Sequence, residues 1–257
     1  MTLIVNEIHL LDGLNKTMLV AAADQRISNP DGSFKAIRKK LLRIPYLSAT
    51  ISYFGLASVY PKSKEQYLSD WLPHFINAQS GVPDLQTFVQ NLRDALQRVI
   101  PKSTLRDYAS GFHISGYNSQ GLPEFWHLTN IGGMRGFQYV DLKPRYGPPS
   151  PDFLERDAQK NWGWDGSDPS SAKNGVQTYR NGDFRAHVVA WKVLDKIIAE
   201  LAQFPAFKIP SNPGEYGQWV KFKFEFIAYL YKQWANKEII ARPIDVCVMH
   251  RGFGDLV

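Results

Sequence analysis

Thr2 stands directly behind the initiator methionine, and a threonine there can become a nucleophile that carries its own base. A threonine hydroxyl at neutral pH attacks poorly unless a base takes its proton. A free α-amine titrates near ~7.7–8.0, so an N-terminal Thr2 would hold such a base on the same residue. A lysine ammonium close by would depress the amine's proton affinity and keep it a free base. Lys40 is the candidate for that charge, and Asp24 is the carboxylate that would orient Lys40 and balance it. Gly55 would let backbone come close to substrate, with its N–H as an oxyanion donor. All of this requires removal of Met1, and threonine is small enough for ordinary methionine removal. Each residue also has a plainer reading. Asp24 can take a turn or pair with Arg26, and Lys39 and Lys40 can form the solvated face of an edge strand.

These residues fall within the opening β-rich stretch. Thr2–Leu10 is dense in Ile, Val and Leu, the turn-forming Asp12–Lys16 follows, and Met18–Ala23 is a second apolar run. Asn29–Gly32 is a turn signal, and Lys35–Ile44 and Ala49–Phe54 read as further strands. Glu65–Ala78 carries a helical apolar stripe interrupted by Pro73. Asp84 is placed to cap a second helix through Val99, which Pro101 ends. Gly111–Tyr117 and Glu124–Asn130 form a hairpin around Asn118–Gly121, and Phe137–Leu142 is a further strand candidate. Residues 143–180 lose periodicity and gather Pro, Gly, Ser, Asp and Asn, which reads as a long loop. Phe184–Phe204 and Glu215–Trp234 are helices, and Ile244–Met249 closes the chain as a strand. With no repeat and no linker, the expectation is a single α+β domain over 1–257, in which two helix pairs cover the outer faces of two stacked, mainly antiparallel sheets.

The opening segment resembles a proteasome β-type subunit, within the N-terminal nucleophile (Ntn) hydrolases. Thr2, Ala22-Ala23-Asp24-Gln25-Arg26, Lys39-Lys40-Leu41-Leu42-Arg43-Ile44 and Gly55 carry the likeness, over Met1 to about Ala57. Asp24 and Lys40 have the family's sixteen-residue separation of catalytic carboxylate and lysine. Thr2 to Asp24 is six residues longer than usual, an excess that a longer first hairpin would absorb. The resemblance implies a four-layer αββα sandwich and threonine-type hydrolysis of peptide or protein amide bonds. It further implies a homo-oligomeric ring, with an unfoldase as a compatible partner, and neither cofactor nor metal. It also brings in Glu238, where the family has an Asp. Two departures stand out: Ala241 takes the place of a serine, and Asn181-Gly182-Asp183 lacks the serine of a Gly-Ser-Gly-type segment. A non-catalytic ring subunit, acting as a binding or assembly module, is therefore the alternative function.

Composition narrows the classes. The 257 residues carry a net charge of +6, with 21% charged and 44% hydrophobic residues, unlike a disordered chain or a multi-span membrane protein. The longest uncharged stretch, Ile44–Pro61, contains Pro, Gly and Ser among β-formers and reads as buried strand and turn rather than a membrane span. The first ten residues lack the pattern of a signal peptide, and the lone Cys247 fits a reducing cytoplasm. The positive charge is diffuse, which argues against nucleic acid. The six histidines have no short metal-ligand spacing, so each reads as a surface or satisfied core residue. Ser115 lacks the flanking glycine of a nucleophile elbow, and Gly132–Gly136 lacks the Lys-Ser/Thr and helix of a phosphate loop. Seven Trp, twelve Tyr and fifteen Phe exceed what one core comfortably hides, which fits self-association.

Overall fold

The computed structural model describes residues 2–29 and 31–252. The expected loss of Met1, and Pro30 within the Asn29–Gly32 turn, lie outside the described residues. In chain order the strands are β1 (Leu3–Asp12), β2 (Lys16–Asp24), β3 (Arg26–Ser28), β4 (Phe34–Ile37), β5 (Leu41–Ile44), β6 (Ala49–Gly55), β7 (Ser58–Val59) and β8 (Gln66–Tyr67). Helices α1 (Leu68–Ala78), α2 (Leu85–Val99) and α3 (Lys102–Asp107) follow. Then come β9 (Ser110–Tyr117), β10 (Pro123–Thr129), β11 (Ile131–Arg135), β12 (Gln138–Leu142) and β13 (Ser150–Phe153). The chain continues through α4 (Glu155–Trp162), β14 (Gly175–Gly182), α5 (Arg185–Leu201), α6 (Pro213–Trp234) and β15 (Ile244–Arg251). The result is a mixed α+β fold with several antiparallel sheets.

One sheet has the order β14-β1-β2-β15 and the other β13-β10-β9-β6-β5, every pairing antiparallel. The strand period of two explains the packing. Leu3 and Val5 of β1, with Met18, Val20 and Ala22 of β2, meet Trp191 of α5 and Phe224 and Ile227 of α6. The alternate residues Ile4, Ala21 and Ala23 meet Leu41 and Phe54 of the other sheet. The first sheet is thus covered on both faces, and both strands read as continuous apolar runs for that reason. Ile51, Phe112 and Ile114 of the second sheet join Leu72, Phe88 and Leu92 of α1 and α2 in a separate core. Asp84 caps α2 as expected, accepting from the Thr87 N–H at 2.7 Å.

The sequence reading differs from the structure mainly at Lys35–Ile44, at 143–180 and just beyond Pro101. The strand expected over Lys35–Ile44 is two strands: β4 pairs with β3, β5 pairs with β6, and Arg38–Lys40 lies between them. Residues 143–180, expected as a loop, hold β13, α4 and most of β14, and β14 runs along β1 from Leu3 to Leu10. It is an edge strand with exposed and half-buried residues, so its sequence, Gly-Val-Gln-Thr-Tyr-Arg-Asn-Gly, has no apolar alternation to read. Beyond Pro101 the chain turns straight into α3, and Gly132–Gly133 lies in β11, which pairs with β12. No helix among the described residues is long and apolar enough to cross a membrane.

Candidate active site

Three side chains from three separate segments meet at the start of β1. Asp24 ends β2, next to β1 in the sheet, and Lys40 comes from the break between β4 and β5. That break aims Lys40 inward while Lys39 stays exposed. It is held by the Arg38 N–H donating to the Gln25 carbonyl at 2.8 Å and the Tyr53 N–H donating to the Lys40 carbonyl at 3.2 Å. Thr2, Asp24 and Lys40 are buried, with relative exposures of 3%, 0% and 2%.

The Lys40 ammonium donates to Thr2 Oγ1 at 2.5 Å, to Asp24 Oδ2 at 3.1 Å, and to the Arg26 carbonyl. Its three donors are all used. Asp24 accepts from four: the Thr2 hydroxyl, the Leu3 N–H at 2.9 Å, the Arg26 N–H at 3.1 Å and Lys40. A buried ion pair is tolerable when its remaining hydrogen-bonding capacity is met in this way. Burial pushes the Lys40 ammonium down from its ordinary value, the Asp24 carboxylate opposes that, and the Arg26 charge adds to it. A threonine oxygen in a hydrogen bond with a cation can carry the negative charge that builds as its proton leaves.

Gly55 lines a cavity of about 10 Å³ together with Thr2, Lys40 and Phe54, the space of about one water. Its φ is +80°, and a Cβ there would fall 1.9 Å from the Ala109 carbonyl oxygen. Glu238 is not part of the trio: its carboxylate takes an ion pair from Arg26 at 3.4 Å, and the Arg26 carbonyl in turn accepts from Lys40. Ala241 is buried.

Two further groups, the Gly182–Asp183 backbone and Tyr139, hold Thr2 in place. The Asp183 N–H donates to the Thr2 carbonyl at 2.6 Å, and a Cβ on Gly182 would strike that same carbonyl oxygen at 1.9 Å. Tyr139 Oη accepts from the Gly182 N–H at 2.7 Å and donates to Asn181 Oδ1 at 3.0 Å, fixing the end of β14 against Thr2. Burial raises the Tyr139 hydroxyl to about 12, so it stays a neutral donor. In the sequence Asn181-Gly182-Asp183 stands out only through the resemblance, as a segment lacking a serine, and nothing marks Tyr139 among twelve tyrosines.

No family model and no curated protein matches the chain. Among solved structures it is similar to the Anbu (ancestral beta-subunit) from Yersinia bercovieri, at 10% identity over 98% of this chain and 84% of that one, with a TM-score of 0.49. It is also similar to an Anbu (Gly-1) mutant from Hyphomicrobium sp. strain MC1, at 15% identity over 99% and 84% of the two chains, with a TM-score of 0.44. The assignment to threonine-type proteasome β-subunits, drawn from the N-terminal motifs, is corrected by this finding. Those motifs are short and local, and at such identities they do not place the chain within that family.

Proposed function

We propose that this chain is an amide-bond hydrolase acting on peptides or proteins, with the Thr2 hydroxyl as nucleophile once the bond before Thr2 has been cut. The observation that carries the reading is Lys40 Nζ at 2.5 Å from Thr2 Oγ1 and 3.1 Å from Asp24 Oδ2. The freed α-amine takes the proton of Oγ1, directly or through the one water for which the cavity has room. Oγ1 then bonds to the substrate carbonyl carbon, and Lys40 stabilises the charge building on Oγ1. The Gly55 N–H is the proposed donor to the carbonyl oxygen as it becomes an oxyanion. The amine returns its proton to the leaving nitrogen, the C–N bond breaks, and water hydrolyses the resulting ester. Asp24 orients Lys40, and Glu238 acts at one remove by holding Arg26, whose carbonyl binds Lys40.

With this reading go a single domain arranged in four αββα layers, a cytoplasmic location and a homo-oligomeric, proteasome-like assembly that an unfoldase could feed. Neither nucleic acid nor a membrane is part of it. The test is intact mass together with labelling. A mature chain starting at Thr2 should take up an electrophile directed at N-terminal threonine and should hydrolyse a peptide amide. Thr2→Ala should do neither. A chain that begins at Thr2, takes no label and cleaves nothing supports the non-catalytic module instead.

A further inference from the structure

On the helix side of the first sheet, away from Thr2, the apolar pattern of β1 is broken by two buried polar residues. Leu3 and Val5 face α5 and α6, and the next residues of that parity are Glu7 and His9, both buried. Over them lies a cavity of about 760 Å³ between β1, β14, α5 and α6, within the ~300–1,000 Å³ usual for small-molecule sites. Its walls are largely apolar and aromatic, with Trp191, Ile198, Tyr216, Trp219 and Val220 among them. These come from the inward faces of the two helices at helical spacings of three, four and seven.

The charges at the floor of the cavity, Glu7, Lys223 and Asp195, are balanced by one another, and the other cations of the lining, Arg180 and Lys192, are exposed at its rim. Glu7 takes hydrogen bonds from His9 at 2.9 Å and from the Trp191 indole at 2.7 Å, and pairs with Lys223 at 3.8 Å. Lys223 also reaches Asp195 at 2.9 Å and lies 4.1 Å from the Trp191 ring centroid. None of these groups calls for an ionic ligand. The imidazole of His187 is different. It is 3% exposed and stacked on Trp191 at 4.4 Å, and neither ring nitrogen has a partner among the described residues. His9 Nδ1, also buried in this cavity, has none either. Burial, helped by Arg180 and Lys223 and opposed by Glu7, holds His187 down to about 3, so at neutral pH its ring offers one donor and one acceptor.

We propose that this cavity is a binding site, separate from Thr2, for an apolar small molecule headed by one neutral group that both donates and accepts a hydrogen bond, of the primary amide or alcohol class. The apolar body would lie against Trp219, Ile198 and Val220, and the head would satisfy His187 and His9. An anionic head would lie close to the Glu7 and Asp195 carboxylates with Lys223 already committed to both.

Hexanamide is a suitable probe, followed by calorimetry and by the intrinsic fluorescence of Trp191 and Trp219. N,N-dimethylhexanamide, which only accepts, and hexanoate, which is charged, serve as controls. Binding is measured in the native chain and in Thr2→Ala, which separates this cavity from any amide recognition at Thr2. Hexanamide should bind both proteins equally, and each control should bind about tenfold more weakly or worse, the scale of one lost polar interaction. His187→Phe keeps the stacked ring and removes both nitrogens. It should lose at least about tenfold in hexanamide affinity while melting no lower than the parent, because it deletes an unpaired buried polar group. The proposal is overturned if hexanamide shows no saturable binding at millimolar concentration. It is equally overturned if the three probes bind alike, or if His187→Phe binds hexanamide as well as the parent does.

Discussion

At the scale of the residue, the trio at Thr2 sets up an asymmetry between its members. Asp24, fully buried, satisfies four donors, one of them the Lys40 ammonium. Asp24→Ala leaves that cation buried and unpaired and should cost about 3–5 kcal/mol in urea unfolding. Thr2→Ala leaves the ion pair intact and should cost about 1–2 kcal/mol, so its loss of labelling would report chemistry rather than folding. The imidazoles supply a second prediction. Burial holds His127 down to about 4 and His187 to about 3, against an ordinary 6.5, and keeps His113 well below it. A histidine whose folded value lies below its unfolded value lets the unfolded chain bind protons that the native chain does not. Stability should therefore fall as pH drops below 6.5. Glu7 adds a lower window. Burial pushes its carboxyl up, but His9, Lys223 and Trp191 together bring it from 4.5 to about 2. Its contribution is complete above 4.5 and is lost as pH falls towards 2. Melting temperature across this range should decline in acid, with a shallower slope between pH 6.5 and 3 for His187→Phe. A flat profile would contradict the assignment of neutral buried imidazoles.

At the scale of the element, one glycine holds the backbone where the trio needs it. Gly182 has φ +95° and lies against the Thr2 carbonyl, which Asp183 binds. Gly182→Ala adds both a left-handed strain and a contact of 1.9 Å, and should destabilise the fold by more than about 1 kcal/mol while displacing Thr2 and lowering its labelling. Gly81→Ala, at a position with nothing within 4 Å, should stay within about 0.5 kcal/mol. Elements that announce themselves in the sequence are those whose apolar pattern matches their burial. The first two strands do so as continuous runs buried on both faces, and the capped α2, α5 and α6 do so through a helical period. What could not be read arises where tertiary contacts override local pattern. Lys40 turns inward because the chain leaves one strand pair for another at Arg38–Lys40, and basic residues between two apolar runs read equally well as the solvated face of one strand. The edge strand β14 has little apolar surface to alternate, so its pairing with β1 from Leu3 to Leu10 is invisible until the fold is assembled. The Asp24–Lys40 spacing was legible, whereas the clamp by Tyr139 at Gly182 depends on a hydroxyl forty-three residues away in sequence.

At the scale of the whole molecule, what remains is the apolar surface that the cores do not take up. Val189, Val193 and Ile197 are exposed at successive four-residue steps along α5, with Val189 at 74%. On α6, Phe222 and Tyr229 are exposed seven residues apart, and Trp234 at its end is 71% exposed. Single exposed apolar residues need no explanation, but two neighbouring helices that both present them outward form a surface of the kind that marks contact between chains. The inward residues of the same helices, Trp191, Phe224 and Ile227, already complete the core against the first sheet, so the outer rows add nothing to the monomer's own stability. This separates assembly from folding. Val193→Glu with Ile197→Glu places two carboxylates on solvent-facing turns of α5 and should leave melting of the isolated subunit within about 1 kcal/mol. In light scattering at micromolar concentration the native chain should run as an oligomer, and the double variant should shift towards monomer. A native chain that is already monomeric would overturn the proposed self-association, and a variant that keeps the native size would mean that these rows are not its contact.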